Sequence, residues 1–136
     1  MTSRSRAVVL TVLLAAGCAP HAASTASTTH PATPPGEPDF TALVERFYGQ
    51  VEAAHWVPAG AMLSGGARSG ISDAQLAERY RDFSDADVNA RETSGRTVAV
   101  TLTAPARGGR PARVVHERLH FAWNGDAWTI DVLTRR

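Results

Sequence analysis

The constraint that most narrows what this chain can fold into lies near its C-terminal end. The run Ala112 to Trp123 and the run Ala127 to Thr134 are rich in β-branched and aromatic residues, and Asn124-Gly125-Asp126 joins them. An Asn-Gly pair between two such runs is the strongest short-range signal for a β-hairpin. Val115, Leu119, Phe121 and Trp123 alternate along the first run, and Trp128, Ile130 and Val132 along the second. Antiparallel pairing across this turn matches odd positions with even ones, whether the loop has two residues or four. Both apolar rows are therefore expected on one face of the hairpin, and that face needs a cover.

The cover is supplied upstream. Asp39 is a good N-cap, and Phe40, Leu43, Val44, Phe47, Tyr48 and Val51 follow at helical spacing, which predicts an amphipathic helix over about 40–54. Pro58 suits the first turn of a short helix over 58–64, and Gly65-Gly66 is expected to end it. Ser72 and Gln75 form a capping-box pattern that opens a helix to about Phe83, with Leu76, Tyr80 and Phe83 inward and Glu78, Arg79 and Asp82 outward. From Asp87 the period changes to two. Asp87 to Thr93 reads as a weak strand, Ser94-Gly95 as a turn, and Arg96 to Ala104 as a clear strand, followed by a loop from Pro105 to Pro111. Helices followed by a four-stranded antiparallel meander define an α+β fold, with the helices packed on one face of a curved sheet.

The N-terminal part has another character. Arg4 and Arg6 precede the apolar run Ala7 to Ala16, which is too short to span a bilayer and matches a secretory signal over 1–17. Cys18, the only cysteine, follows Ala15-Ala16-Gly17. This resembles the lipobox of bacterial lipoproteins, although leucine, usual three residues before the cysteine, is here Leu14, one residue earlier. The resemblance implies that Cys18 is lipidated and becomes the mature N-terminus. From Ala19 to Pro38 the chain is mostly Ser, Thr, Pro, Ala and Gly, a composition that cannot bury enough surface to offset its ordering entropy, so 18–38 reads as a disordered tether. One domain, 39–136, remains.

Without Arg4 and Arg6 the chain carries 12 basic and 13 acidic residues, every basic one an arginine. Near-neutral charge without a basic stripe argues against nucleic acid as a partner. Arg107, Arg110 and Arg113 cluster about a Gly-Gly turn and read as a solvated loop.

The order of elements resembles the nuclear transport factor 2-like superfamily, the cystatin-like α+β cone. The matching features are the aromatic pair Phe47-Tyr48 on the first helix, the His55-Trp56 turn, the short Ala61-Met62-Leu63 helix, and the ending Asn124-Gly125-Asp126-Ala127-Trp128-Thr129-Ile130. The resemblance covers about 39 to 134 and extends to small lipoproteins of high-GC bacteria that carry such a domain behind a tether. It implies a cone-shaped fold with an interior cavity. It does not imply a reaction, because the family includes isomerases, dehydratases, binding modules and assembly factors.

Acid–base chemistry in such a cone would need polar residues pointing inward. Glu117 shares the apolar row of Val115, Leu119 and Phe121, and two environments fit it. It either reaches water at the sheet edge or open end, or sits at a cavity mouth as a carboxylate of raised pKa able to act as a base or to bind a cationic group. His116, Arg118 and His120 lie on the opposite face together with Asp131, and Arg118 or His120 is expected to meet Asp131 across the hairpin. A His120–Asp131 pair could serve as an acid–base dyad only if that face lined a cleft. Tyr48, Trp56, Tyr80 and Trp123 are candidates to line the cavity, though aromatic residues at these spacings also make plain core. No spacing suggests a metal site, a phosphate-cradling loop or a nucleophile elbow, and no cofactor is implied.

The sequence thus predicts a lipid-anchored protein on the extracytoplasmic face of the cell membrane, whose domain binds a small apolar ligand or a protein partner without catalysis. A homodimer or an envelope protein would be the partner. The alternatives are an isomerase or dehydratase using Glu117 or the His120–Asp131 pair, and an accessory subunit of an envelope complex.

Overall fold

The computed structural model describes residues 33–136; the signal segment, Cys18 and the tether up to residue 32 lie outside the described residues. Four helices precede four strands: α1 (Phe40–Glu52), α2 (Trp56–Ala61), α3 (Gly65–Gly70), α4 (Asp73–Tyr80), β1 (Asp87–Ser94), β2 (Thr97–Ala104), β3 (Arg113–Trp123) and β4 (Trp128–Arg135). The strands form one antiparallel sheet in the order β1-β2-β3-β4, so the domain is α+β as the pattern requires.

Local chemistry sets the helix starts. Asp39 accepts hydrogen bonds from the Thr41 and Ala42 amides, and Ser72 and Gln75 close the expected capping box at α4. α1 buries Phe40, Val44, Phe47, Tyr48 and Val51 against Val98, Val100 and Leu102 of β2 and Leu119 and Phe121 of β3. Among the described residues no helix is long and apolar enough to cross a membrane.

Three local expectations need correction. Gly65-Gly66 does not end a helix but begins α3, because Ser64 caps it: the Ser64 hydroxyl accepts from the Ala67 amide at 3.1 Å. The preceding residues also run along the sheet edge. Leu63 bridges Ile130 in parallel, with Ser64 N donating to Ile130 O and Ile130 N to Met62 O, both at 2.8 Å. This covers part of the β4 edge, which would otherwise invite pairing with another chain. α4 stops at Tyr80, before Phe83, although Phe83 still packs into the core.

The third correction concerns the hairpin. Trp123 faces Trp128 and Phe121 faces Ile130 across a four-residue loop, as expected. The register then shifts, so that His120 faces Val132 and Asp131 is the extra residue of a β-bulge. One inserted residue reverses which face each later side chain occupies. Val132 therefore leaves the apolar row and is 44% exposed, while Leu133 turns inward to pack on the core.

Ser64 ties α3 to the bulge, since its hydroxyl donates to Asp131 Oδ1 at 2.9 Å while capping the helix. Ser64→Ala is expected to cost about 1 kcal/mol, typical of a lost cap, and to lower Tm by about 4–8 °C in a domain of this size. Thermal unfolding followed by circular dichroism measures it; an unchanged Tm would mean that α3 does not depend on the cap.

Candidate functional site

Glu117 stands in the middle of β3, and alternation puts it on the helix-covered face between Val115 and Leu119. It reaches neither the sheet edge nor water: only 1% of it is exposed. An isolated carboxylate taken out of water costs several kcal/mol unless its lone pairs are met. Here three elements, α1, α4 and β4, supply four donor side chains.

α1 contributes Tyr48 and α4 contributes Tyr80, and both hydroxyls donate to Glu117 Oε2 at 2.6 Å. Oε1 accepts from Arg79 Nη2 at 3.0 Å and from Arg135 Nε at 2.8 Å. These are charge-assisted bonds, the strong kind, and the tyrosine contacts have the short length expected of a hydroxyl donating to a carboxylate. Arg135 Nη1 also donates to the Arg79 carbonyl at 3.1 Å, and its guanidinium lies over the Tyr80 ring at 5.2 Å and the Phe83 ring at 5.4 Å. Tyr48 and Tyr80 meet edge to face, with Phe47 beside both. Burial pushes the Tyr48 hydroxyl well above the ordinary tyrosine pKa, and the neighbouring Tyr80 and Glu117 add to it. Burial raises Tyr80 too, followed by the charge of Glu117. Both phenols therefore stay protonated and act as donors.

The bulge makes this arrangement. With unbroken alternation Arg135 would point to solvent; after the extra residue at Asp131 it stands directly opposite Glu117 on the inner face. Arg79 was expected to face out, and it does begin at the helix surface, but its long stem carries the guanidinium back to the carboxylate. Its side chain is 24% exposed, so the water-facing end of the cluster is cationic. The cationic group that Glu117 binds thus belongs to the same chain. Inside this cluster the carboxylate pins α1 and α4 to the sheet.

The other candidates lie apart. Asp131 accepts from Ser64, while His120 shares a 3.1 Å hydrogen bond with Thr97 and pairs with Val132 in register. Arg118 faces Thr134. The expected ion pair across the hairpin is therefore replaced by other partners, again because the bulge displaces Asp131. His116, Arg118 and His120 do share the outer face, as alternation predicts, with Thr97, Ala99 and Thr101 beside them. Tyr48 and Tyr80 are core residues, Trp56 is half-buried against that core, and Trp123 stacks at a tilt on Trp128 near the loop. Among the described residues no group of three or more His, Cys, Asp or Glu side chains could hold a metal ion.

Sequence reasoning missed Arg79 and Arg135 as partners of Glu117. The available signal was the hydroxyls of Tyr48 and Tyr80 on the same apolar stripes that face an inward carboxylate. No family model, curated protein or solved structure matched this chain when compared with it.

Proposed function

We propose that this chain is a lipid-anchored protein of the extracytoplasmic face of the membrane, whose domain engages a partner protein through its outer surface without acid–base chemistry in its interior. The observation that carries the proposal is Cys18, placed where a signal-like apolar run ends and about twenty residues before the Asp39 cap that opens the folded domain. A thiol there is positioned for acylation, and the Ser/Thr/Pro segment holds the domain off the bilayer. The helices packed over the sheet are compatible with the cone of nuclear transport factor 2-like domains.

Glu117 supports the non-catalytic part. An isomerase or dehydratase base must have a lone pair free for the substrate proton. Both Glu117 oxygens are engaged by donors from the domain itself, and Tyr48 and Tyr80, which could line a cavity, pack on one another instead. A partner would meet the outer sheet face, where His116 and Arg118 stand between the exposed Val114 and Val132. A second copy of the chain and an envelope protein are both suited to such a mixed surface.

Metabolic labelling with palmitate tests the anchor. The native chain should incorporate label, and Cys18→Ser should incorporate none. Label is the better readout than membrane fractionation, because an uncleaved apolar segment could itself hold the variant to the membrane. Equal labelling of both chains would overturn the proposal.

A further inference from the structure

A second cluster lies between the segment that follows α4 and the loop joining β2 to β3. Gly108 and Gly109 both have positive φ, 53° and 80°, in a tight turn closed by Arg107 N to Arg110 O at 3.1 Å and Arg110 N to Arg107 O at 2.8 Å. Two successive left-handed positions define the two-residue hairpin turn, which glycine adopts without strain. Residues paired in this way project to the same side, so the turn holds two arginines side by side. Like charges directly opposite one another are destabilising. The loop nevertheless presents them, and Arg113, the first residue of β3, joins them.

Two carboxylates partly compensate. Asp82 lies 2.9 Å from Arg110 and 2.8 Å from Arg113, and Asp85 lies 2.6 Å from Arg107. Arg81 approaches Asp82 at 3.8 Å. Arg81 has a nearer partner in Glu78 at 2.9 Å, so Arg107, Arg110 and Arg113 stand against Asp82 and Asp85 with a local excess of one positive charge. Arg81, Asp82, Asp85, Arg107, Arg110 and Arg113 line a concavity of about 190 Å³ that opens to solvent. Each guanidinium carries five N–H donors in a planar fork, and the ion pairs of Arg107, Arg110 and Arg113 use one nitrogen each. The fork geometry fits phosphate oxygens two at a time. Asp82 fixes Arg110 and Arg113, and Arg113 also rests over the Phe83 ring at 5.8 Å, so the donors are held in place before any ligand arrives.

We propose that this concavity binds a phosphate-bearing anion, either free phosphate or the headgroup of an anionic phospholipid. A pair of arginines held side by side by the turn, with Arg110 and Arg113 sharing the single carboxylate of Asp82 at the rim of a concavity, is the observation that calls for a ligand rather than a solvated loop. The site is independent of Glu117 and of whether Cys18 is acylated.

The test is NMR titration of the full chain in detergent micelles, read at the arginine Nε–H groups, with inorganic phosphate, dihexanoyl phosphatidylglycerol and dihexanoyl phosphatidylcholine as probes. Saturable shifts at Arg107, Arg110 and Arg113 are expected with phosphate or phosphatidylglycerol. Whichever of these two saturates at lower concentration identifies free anion or headgroup as the source. The combined change Arg107→Gln and Arg110→Gln should weaken that binding by at least roughly tenfold, about the loss of one charge-assisted hydrogen bond. Arg91→Gln with Arg118→Gln, on the sheet face, should leave it unchanged. The proposal is overturned if no probe saturates, if the sheet-face pair weakens binding as much as the loop pair, or if phosphatidylcholine binds as well as phosphatidylglycerol.

Discussion

Replacing Glu117 with alanine is expected to cost about 3–5 kcal/mol of folding stability, the range for removing one partner from a buried ionic cluster. The loss would leave Tyr48 and Tyr80 without an acceptor, and Arg79 and Arg135 beside an uncompensated cavity. Domains of this size hold only about 5–15 kcal/mol in total, so the variant should melt at least about 12 °C lower. Glu117→Gln separates charge from shape. Its amide nitrogen can only donate, so it either meets the two guanidinium groups donor to donor or turns to the two hydroxyls and leaves their protons without the Glu117 acceptor. That should cost at least about 2 kcal/mol. Tyr48→Phe and Tyr80→Phe each remove one donor and should each cost about 1–2 kcal/mol. Urea unfolding of the four variants gives the order directly. A Glu117→Ala variant within about 0.5 kcal/mol of the native chain, the spread expected of an ordinary surface change, would mean that the cluster does not hold the helices to the sheet.

The tyrosines yield the second large effect, at alkaline pH. The chain contains two tyrosines, Tyr48 and Tyr80, so tyrosinate absorbance reports on this cluster alone. In both, burial raises the folded-state pKa above the ordinary value of 10.0. A group whose folded pKa is raised contributes stability that is fully present below its unfolded pKa and is lost as pH climbs toward the folded one. Stability should therefore be insensitive to these phenols up to about pH 10 and decline steadily above it. Native protein should show little tyrosinate at a pH where urea-unfolded protein is already half ionised. The absorbance should then appear together with loss of circular dichroism, because ionising a phenol beside Glu117 sets two negative charges at hydrogen-bond distance. Reversible ionisation near pH 10 in the folded protein would show that the hydroxyls reach water.

How much of this could be read from the sequence follows from how local each determinant is. The hairpin turn, the Asp39 and Ser72 caps and the stripe on α1 are written in adjacent residues, and the structure has them where the pattern puts them. Glu117 on the apolar row was legible for the same reason, since alternation along β3 is unbroken. Its surroundings were not. Arg135 reaches Glu117 only because Asp131 bulges out, and no local feature of the Ile130-Asp131-Val132 run announces an extra residue. The bulge is set by tertiary contacts: Ser64 holds the Asp131 side chain, and Leu63 bridges Ile130. The same contacts explain α3, where two glycines of low helix propensity are overruled by a capped, tethered start. Arg79 shows a different limit. A helical stripe locates its Cα at the boundary of the apolar face, but the reach of an arginine stem spans that boundary in either direction.

The central claim is that Glu117 is consumed by the structure of the domain and is unavailable as a base. Proton NMR of the Tyr48 and Tyr80 hydroxyl groups at neutral pH tests it most directly. Two downfield hydroxyl resonances that exchange slowly with water are expected, one disappearing in Tyr48→Phe and the other in Tyr80→Phe. Hydroxyl protons that exchange as fast in the native protein as in the unfolded chain would contradict the account, because water would then reach Glu117 and a substrate could do the same.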